Sequence, residues 1–395
     1  MAEKERKKTT TPAPGGAAGD EAVVFDLKAD ISEMIPPQGG RRQSLEGFDE
    51  DYNDIVDYIV RCTYKIWDEK NVGLIYTHYH HKSLAHMPHG LVYGRDDVVA
   101  ATAGAQNAFP DFKLYVDDVL WRGNDQDGFD TSMPSTAVGT NLGWSMYGPP
   151  TGRKICRRGI ANCFTRKNRI IEEWVVHDDV ATVQQLGFDL DETVEKLVAD
   201  GYCDDYQAEP GPIERIHGEG EPPALPPKPA GAEDVEGLIR RALEETFNWR
   251  LFGRVDEYYN ENYQYHGSRN QTLYGRDSFK KQLLQWISLF PDAHLSIDDI
   301  YWNGNAKEGF RSSTRWTMRG THKGNGIFGP PSHLRVEIMG ISNHVIKDGQ
   351  FTEELTLFNE LETMVRIERA RQKAAEKAAE KADPGPAAAE AEPEK

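Results

Sequence analysis

The chain has 395 residues and a formal net charge of −18, with 38% hydrophobic and 28% charged residues. That length admits two or three domains. The acidic balance excludes a general nucleic-acid binder, which needs basic surface to displace counterions. No apolar run reaches the roughly 20 residues of a membrane span, so no membrane association is expected.

The opening stretch MAEKERKKTTTPAPGG lacks the apolar run of a secretory signal. Cys62, Cys156, Cys163 and Cys203 show no metal-ligand spacing, and reduced thiols in a cytoplasmic protein are the expectation. Residues 1–20 read as a disordered tail and 21–48 as a lead-in lying across a domain surface. Ile55, Tyr58, Ile59, Cys62 and Ile66 recur at three- and four-residue steps, which predicts a helix within 49–70. A short helix over 72–79 and a third over 97–107 follow, the last stopped by Phe109-Pro110-Asp111. Strands are predicted over 113–121, 129–140, 153–165 and 169–177, separated by Gly123-Asn124, Gly148-Pro149-Pro150 and Lys167-Asn168. Helices followed by antiparallel strands give an α+β unit over 49–200, its helices on one concave face of the sheet.

Residues 203–232 hold seven prolines and read as a linker. Beyond it the pattern returns. Tyr93-Gly94-Arg95-Asp96 recurs as Tyr274-Gly275-Arg276-Asp277, Phe109-Pro110-Asp111 as Phe290-Pro291-Asp292, and Glu172-Glu173 as Glu353-Glu354. At a constant offset of 181, 28 of the 88 positions from Tyr93 to Val180 match, which makes 233–367 a second copy of the unit. Upstream the offset is 180, pairing His86 with His266 and Tyr79 with Tyr259. Residues 368–395 read as an Ala/Glu/Lys helix and a disordered end.

The strand over 170–178 carries the chemistry. Residues two apart share a face, so Glu172, Trp174, Val176 and Asp178 lie on one side and Ile171, Glu173, Val175 and His177 on the other. Acids flanking an indole read as a pocket floor, because apolar surroundings raise a carboxyl pKa toward neutrality. Asp178 is the candidate acid/base. His78, His80, His81, His86 and His89 suit a metal only if a helix continues through them. The second copy has Tyr258, Asn260 and Glu261 there, so no metal is expected.

Each copy resembles a SnoaL-like domain, of the polyketide-cyclase branch of the nuclear transport factor 2-like superfamily. The resemblance rests on His86 and His266, the YGRD turns, the FPD triplets, Gly139-Thr140 and Gly320-Thr321-His322, the GPPTG loop from Gly148, IIEEW followed by Asp178, and Gln184-Gln185-Leu186-Gly187. It implies two tandem cone-shaped units, each a curved antiparallel sheet wrapped on three helices, with a pocket at the wide end. It further implies Asp178 as acid/base and His86 facing the cavity as a second catalytic residue. Trp174, Glu172, Asn162, Tyr79 and Tyr93 would bind substrate. The second copy replaces Trp174 by Leu355 and Asp178 by Asn359, so its pocket, with His266, Asn343, Glu353 and His322, reads as degenerate. Two functions stay open. One is a cofactor-independent lyase, isomerase or cyclase acting on a carbonyl-bearing, aromatic or polyketide-like small molecule. The other is a non-catalytic ligand-binding or assembly protein, and behind both stands a hydrolase or metal-assisted lyase built on the His78–His86 cluster. The two sheets are expected to pack face to face as an intramolecular pseudo-dimer, with pairing to a second chain as the alternative.

Overall fold

The computed structural model describes residues 40–203 and 225–382. The tail over 1–20, most of the lead-in, most of the linker and the last dozen residues lie outside the described residues. The first unit begins with helix α1 (Ile55–Trp67), capped by Asp54, whose side chain accepts a hydrogen bond from the Asp57 N–H. A 3-10 turn and the short α2 (Ile75–His78) lead into strands β1 (Tyr79–Met87) and β2 (Gly90–Tyr93). Helix α3 (Arg95–Ala108) follows, then β3 (Lys113–Val116), β4 (Leu120–Asn124), β5 (Gly128–Thr140), β6 (Lys154–Arg166), β7 (Arg169–His177), α4 (Asp179–Leu186) and α5 (Leu190–Ala199). The second unit repeats this with α6 (Val235–Leu243), α7 (Val255–Tyr258), β8 (Tyr259–His266), β9 (Thr272–Tyr274), α8 (Arg276–Leu289), β10 (His294–Asn305), β11 (Gly309–Thr321), β12 (Arg335–Lys347), β13 (Gln350–Phe358) and the long α9 (Glu360–Ala382).

The sheets run β2-β1-β7-β6-β5-β3, with β4 also on β5, and β10-β11-β12-β13-β8-β9. Both are mixed: β1 lies parallel to β7, and β8 parallel to β13. Strands β1 and β2 escape sequence reading because 79–87 is rich in histidine and lacks the β-branched run of a typical strand. The apolar stripe of α1 packs on the concave side, where Ile55, Ile59, Phe129, Met133 and Cys163 join Leu45 and Phe48 in one core. The end of the lead-in is therefore part of this core.

The recurring motifs are structural staples. Each FPD aspartate accepts both the backbone N–H and the hydroxyl of the Gly-Thr threonine: Asp111 from Thr140 at 2.6 and 2.7 Å, Asp292 from Thr321 at 2.7 and 2.6 Å. The YGRD glycines, Gly94 and Gly275, start α3 and α8 with φ of 92° and 80°, a conformation costly for a side-chain-bearing residue.

The two units meet on the outer faces of their sheets. Ile160 and Val176 pack against Ile341 and Leu357, their counterparts at the 181 offset. Asn162 donates to Ser313 at 3.3 Å, and its counterpart Asn343 donates to Ser132 at 3.2 Å. At the flank Arg122 clamps Asp299 with bonds of 2.8 and 2.9 Å, while Arg311 holds Asp118 at 2.6 Å. Asp118 and Asp299 are equivalent positions, so the junction has approximate twofold symmetry with the arginine moved to a neighbouring strand.

Candidate functional site

The sequence-identified face of β7 is the face turned toward the other unit. Trp174 stacks on His86 (ring centroids 5.1 Å apart, planes within 6°), and the Arg315 guanidinium of the second unit lies 3.8 Å from its ring. His86 pairs with Glu172 at 2.9 Å, and their counterparts His266 and Glu353 approach to 3.5 Å. Asn162 and Asn343 are the symmetric junction bonds already described. The expectation that Glu172, Trp174, His86 and Asn162 line the hollow of the first unit, and His266, Asn343 and Glu353 that of the second, is therefore corrected. Alternation separates the two faces of a strand but does not say which buries against helices and which against a second sheet. Tyr93 sits on the edge strand, 58% exposed. His322 is buried against Phe290 and Phe328, its Nδ1 bonded to Ser332 at 3.1 Å, so it pins a loop.

Asp178 is only 1% exposed and caps α4 by accepting the Ala181 N–H at 3.2 Å. Its two oxygens also accept the backbone N–H groups of Arg269 and Asn270, both at 2.8 Å. Burial pushes its pKa up, while these three N–H bonds pull it back. A carboxylate so engaged has little capacity left to exchange protons with a ligand, and the placement of Asp178 on a pocket floor is corrected.

The opposite face of β7 turns inward. Glu173 accepts a bond from the Tyr79 hydroxyl at 3.0 Å and lies 3.9 Å from the Cys163 thiol. Its counterpart Glu354 accepts bonds from the hydroxyls of Tyr263 and Thr356 and lies 3.5 Å from His344, whose other nitrogen meets Ser312 at 3.1 Å. Ser312, His344 and Glu354 thus make a Ser–His–Glu array, but all three are buried among Tyr259, Tyr263 and Phe351, and the array reads as core.

Burial pushes Glu173 up to about 7 from an ordinary 4.5, its bonds from Tyr79 and Cys163 opposing the rise. The folded chain therefore holds a proton here that the unfolded chain has released, and stability falls as pH rises from about 4.5 through about 7. The contribution is on the order of 3 kcal/mol. Stability at pH 5 and pH 8.5, read by urea unfolding, should differ by at least this much, since burial beside Asp179 also raises Glu362 to about 8, and Glu173→Gln should remove the Glu173 share; an unchanged difference would count against the buried acid.

A hollow among the described residues lies in the second unit, lined by residues of β8, α8, the start of α9 and the loop over 325–327. It holds about 570 Å³, within the range of small-molecule sites. Tyr265, Trp286, Leu289, Ile327 and Phe358 give apolar walls, while Gln271, Gln282, Gln285 and Asn325 supply amides. Glu360, the first residue of α9, also lines it and is 3% exposed. One carboxylate oxygen meets Arg269 Nε at 2.7 Å. The other, Oε2, has no hydrogen-bond partner among the described residues, nor do the Ser268 hydroxyl and Arg269 Nη2 beside it. Burial raises the Glu360 pKa, Arg269 opposes the rise, and Asp178 adds to it. Three buried, unsatisfied polar groups clustered behind one wall are uncommon in a folded interior.

Sequence reasoning passed over Glu360 because it follows Asn359, which fills the equivalent of Asp178. The available signal was the step in repeat offset from 180 to 181. It marks a one-residue insertion in the 267–271 loop that carries Ser268 and Arg269. In the His78–His89 stretch the helix ends at His78, which is buried against Tyr52 at 2.8 Å. Among the described residues no group of three His, Cys, Asp or Glu is placed to hold a metal, and no helix is long and apolar enough to cross a membrane.

The SnoaL-like polyketide cyclase family model matches residues 57–186 and 237–367. Among solved structures, a Jannaschia sp. CCS1 protein described as a SnoaL-like polyketide cyclase is 17% identical, covering 36% of this chain and 97% of its own, with a TM-score of 0.32. TsrD from Streptomyces laurentii is 19% identical, covering 33% and 94%, with a TM-score of 0.30. IdmH from Streptomyces antibioticus, described as a polyketide cyclase, is 23% identical, covering 33% and 97%, with a TM-score of 0.29. No curated protein matches the chain. The two matched regions together span more than half of the sequence, one on each sheet-and-helix unit, and the chain belongs to the SnoaL-like polyketide cyclase family as a tandem member.

Proposed function

We propose that the chain is a small-molecule enzyme of lyase, isomerase or cyclase type, working in the pocket of the second unit with Glu360 as its acid/base. The carrying observation is a buried carboxylate with one oxygen tied to Arg269 and the other unpartnered at an aromatic-walled hollow. In this reading Glu360 takes the proton from a carbon beside a carbonyl. The C–H electron pair becomes the enolate, and the proton returns at the same or another carbon. Arg269 favours the ionised acid against the rise that burial imposes, and its unpartnered Nη2 is a donor for the enolate oxygen. Proton transfer of this kind needs no cofactor. Tyr265, Trp286 and Phe358 favour a flat, aromatic, carbonyl-bearing substrate.

One observation favours a second reading, a ligand-binding protein without turnover: the acid expected from the sequence, Asp178, is wholly engaged in backbone bonds.

A panel of aromatic ketones separates the two. Binding should quench Trp286 fluorescence, and the quench should vanish in Trp286→Phe. An enzyme should in addition exchange the α-hydrogen of a bound ketone for deuterium in D2O, read by mass spectrometry. Quenching without exchange supports the second reading, and neither signal contradicts both.

A further inference from the structure

Resting on the assignment of the working pocket to the second unit, we propose that Asp178 is a positioning residue for that pocket: from the first unit, it clamps the 267–271 loop that carries Arg269 to Glu360. Asp178 Oδ1 accepts the Arg269 N–H and Oδ2 the Asn270 N–H, both at 2.8 Å. Those two residues have φ of 61° and 51°. The left-handed region is tolerable for asparagine and unfavourable for arginine, and two charge-assisted bonds from one carboxylate offset that cost. Within the loop, Gly267 N–H bonds to Gln271 O at 3.0 Å and Gln271 N–H to Ser268 O at 3.2 Å. The clamp thereby fixes Ser268, Arg269 and Gln271, all on the pocket wall.

The device runs one way only. In the first unit the equivalent loop is a residue shorter, with Met87 directly opposite Gly90. The residue that would clamp it is Asn359, buried with its Oδ1 unpartnered among the described residues. The aspartate-to-asparagine change between the copies is thus a change in which unit supports the other.

The charged groups facing Glu360 are Arg269 from the loop and Asp178 from the end of β7. Losing Asp178 withdraws its charge and loosens Arg269, which act on the Glu360 carboxyl in opposite directions.

The test uses the full chain and no ligand. Amide exchange at Arg269 and Asn270 is measured in wild type, Asp178→Asn, and Asp178→Asn with Asn270→Gly. Wild-type amides should be protected. Asp178→Asn should speed their exchange by about 10- to 100-fold and make the bond after Arg269 a new tryptic site. Asn270→Gly should restore part of the protection by relieving the left-handed cost. Exchange changed by less than twofold in a folded Asp178→Asn overturns the clamp. If that variant does not fold, wild-type amides exchanging as fast as an open loop overturn it instead. Catalysis enters none of these readouts, so a wrong role for Glu360 leaves the test of the clamp intact.

Discussion

Glu360→Gln is expected to reduce α-deuteration of a bound aromatic ketone by about 10²- to 10⁴-fold, the range supplied by a positioned general base. Glutamine matches the shape of glutamate and can still accept the bond from Arg269, so the melting midpoint should move little. Ketone binding, read by Trp286 quenching, should persist, because the apolar walls are untouched. The pH dependence has a definite sign. The base works ionised, and burial together with Asp178 raises its pKa, so the wild-type rate should climb with pH through a midpoint above the ordinary glutamate value. A Glu360→Gln rate within threefold of wild type removes Glu360 from the chemistry and leaves the pocket as a binding site.

Ile341→Asp should cost at least about 2 kcal/mol, since apolar burial is lost and a charge enters a tightly packed patch. Ile341 is fully buried in the patch shared by Ile160, Val176 and Leu357, with Trp174, Met339 and Leu355 around it. Arg315 stands directly opposite Ile341 on β11 and lies over the Trp174 ring, so pairing offsets part of the cost of the introduced carboxylate. Urea unfolding reads the loss, which should fall on both units because the patch belongs to both. Exposed Tyr274 on the edge strand offers a control, where aspartate should shift stability by no more than about 0.5 kcal/mol. A loss below 1 kcal/mol at Ile341 would show that the sheets do not depend on each other.

Much of the architecture is legible from repetition. Motifs recurring at a fixed offset reveal two units, and Lys167-Asn168 falls between β6 and β7, while Gly123-Asn124 ends β4 just before its turn. The histidine-rich β1 has no strand signature, because its pairing with β7 is set by tertiary contacts. The site is less legible for a definable reason. Both faces of β7 are buried, one by the unit's own core and one by the second sheet. A strand with acids and an indole on one side and Glu173 and His177 on the other carries no mark of which is which. Asp178 attracts notice as an acid next to apolar neighbours, yet those neighbours belong to a junction. Glu360 stands where the chain passes from the end of β13 into α9, where the two-residue period ceases to apply.

The location of a bound ligand tests the central claim most directly. A crystal structure of the chain with an aromatic ketone that quenches Trp286 should place the carbonyl beside Arg269 and the adjacent carbon within reach of Glu360 Oε2, against the Trp286 wall. A ketone bound instead inside the first unit, against Tyr79 and Glu173, with the second hollow unoccupied, would contradict it.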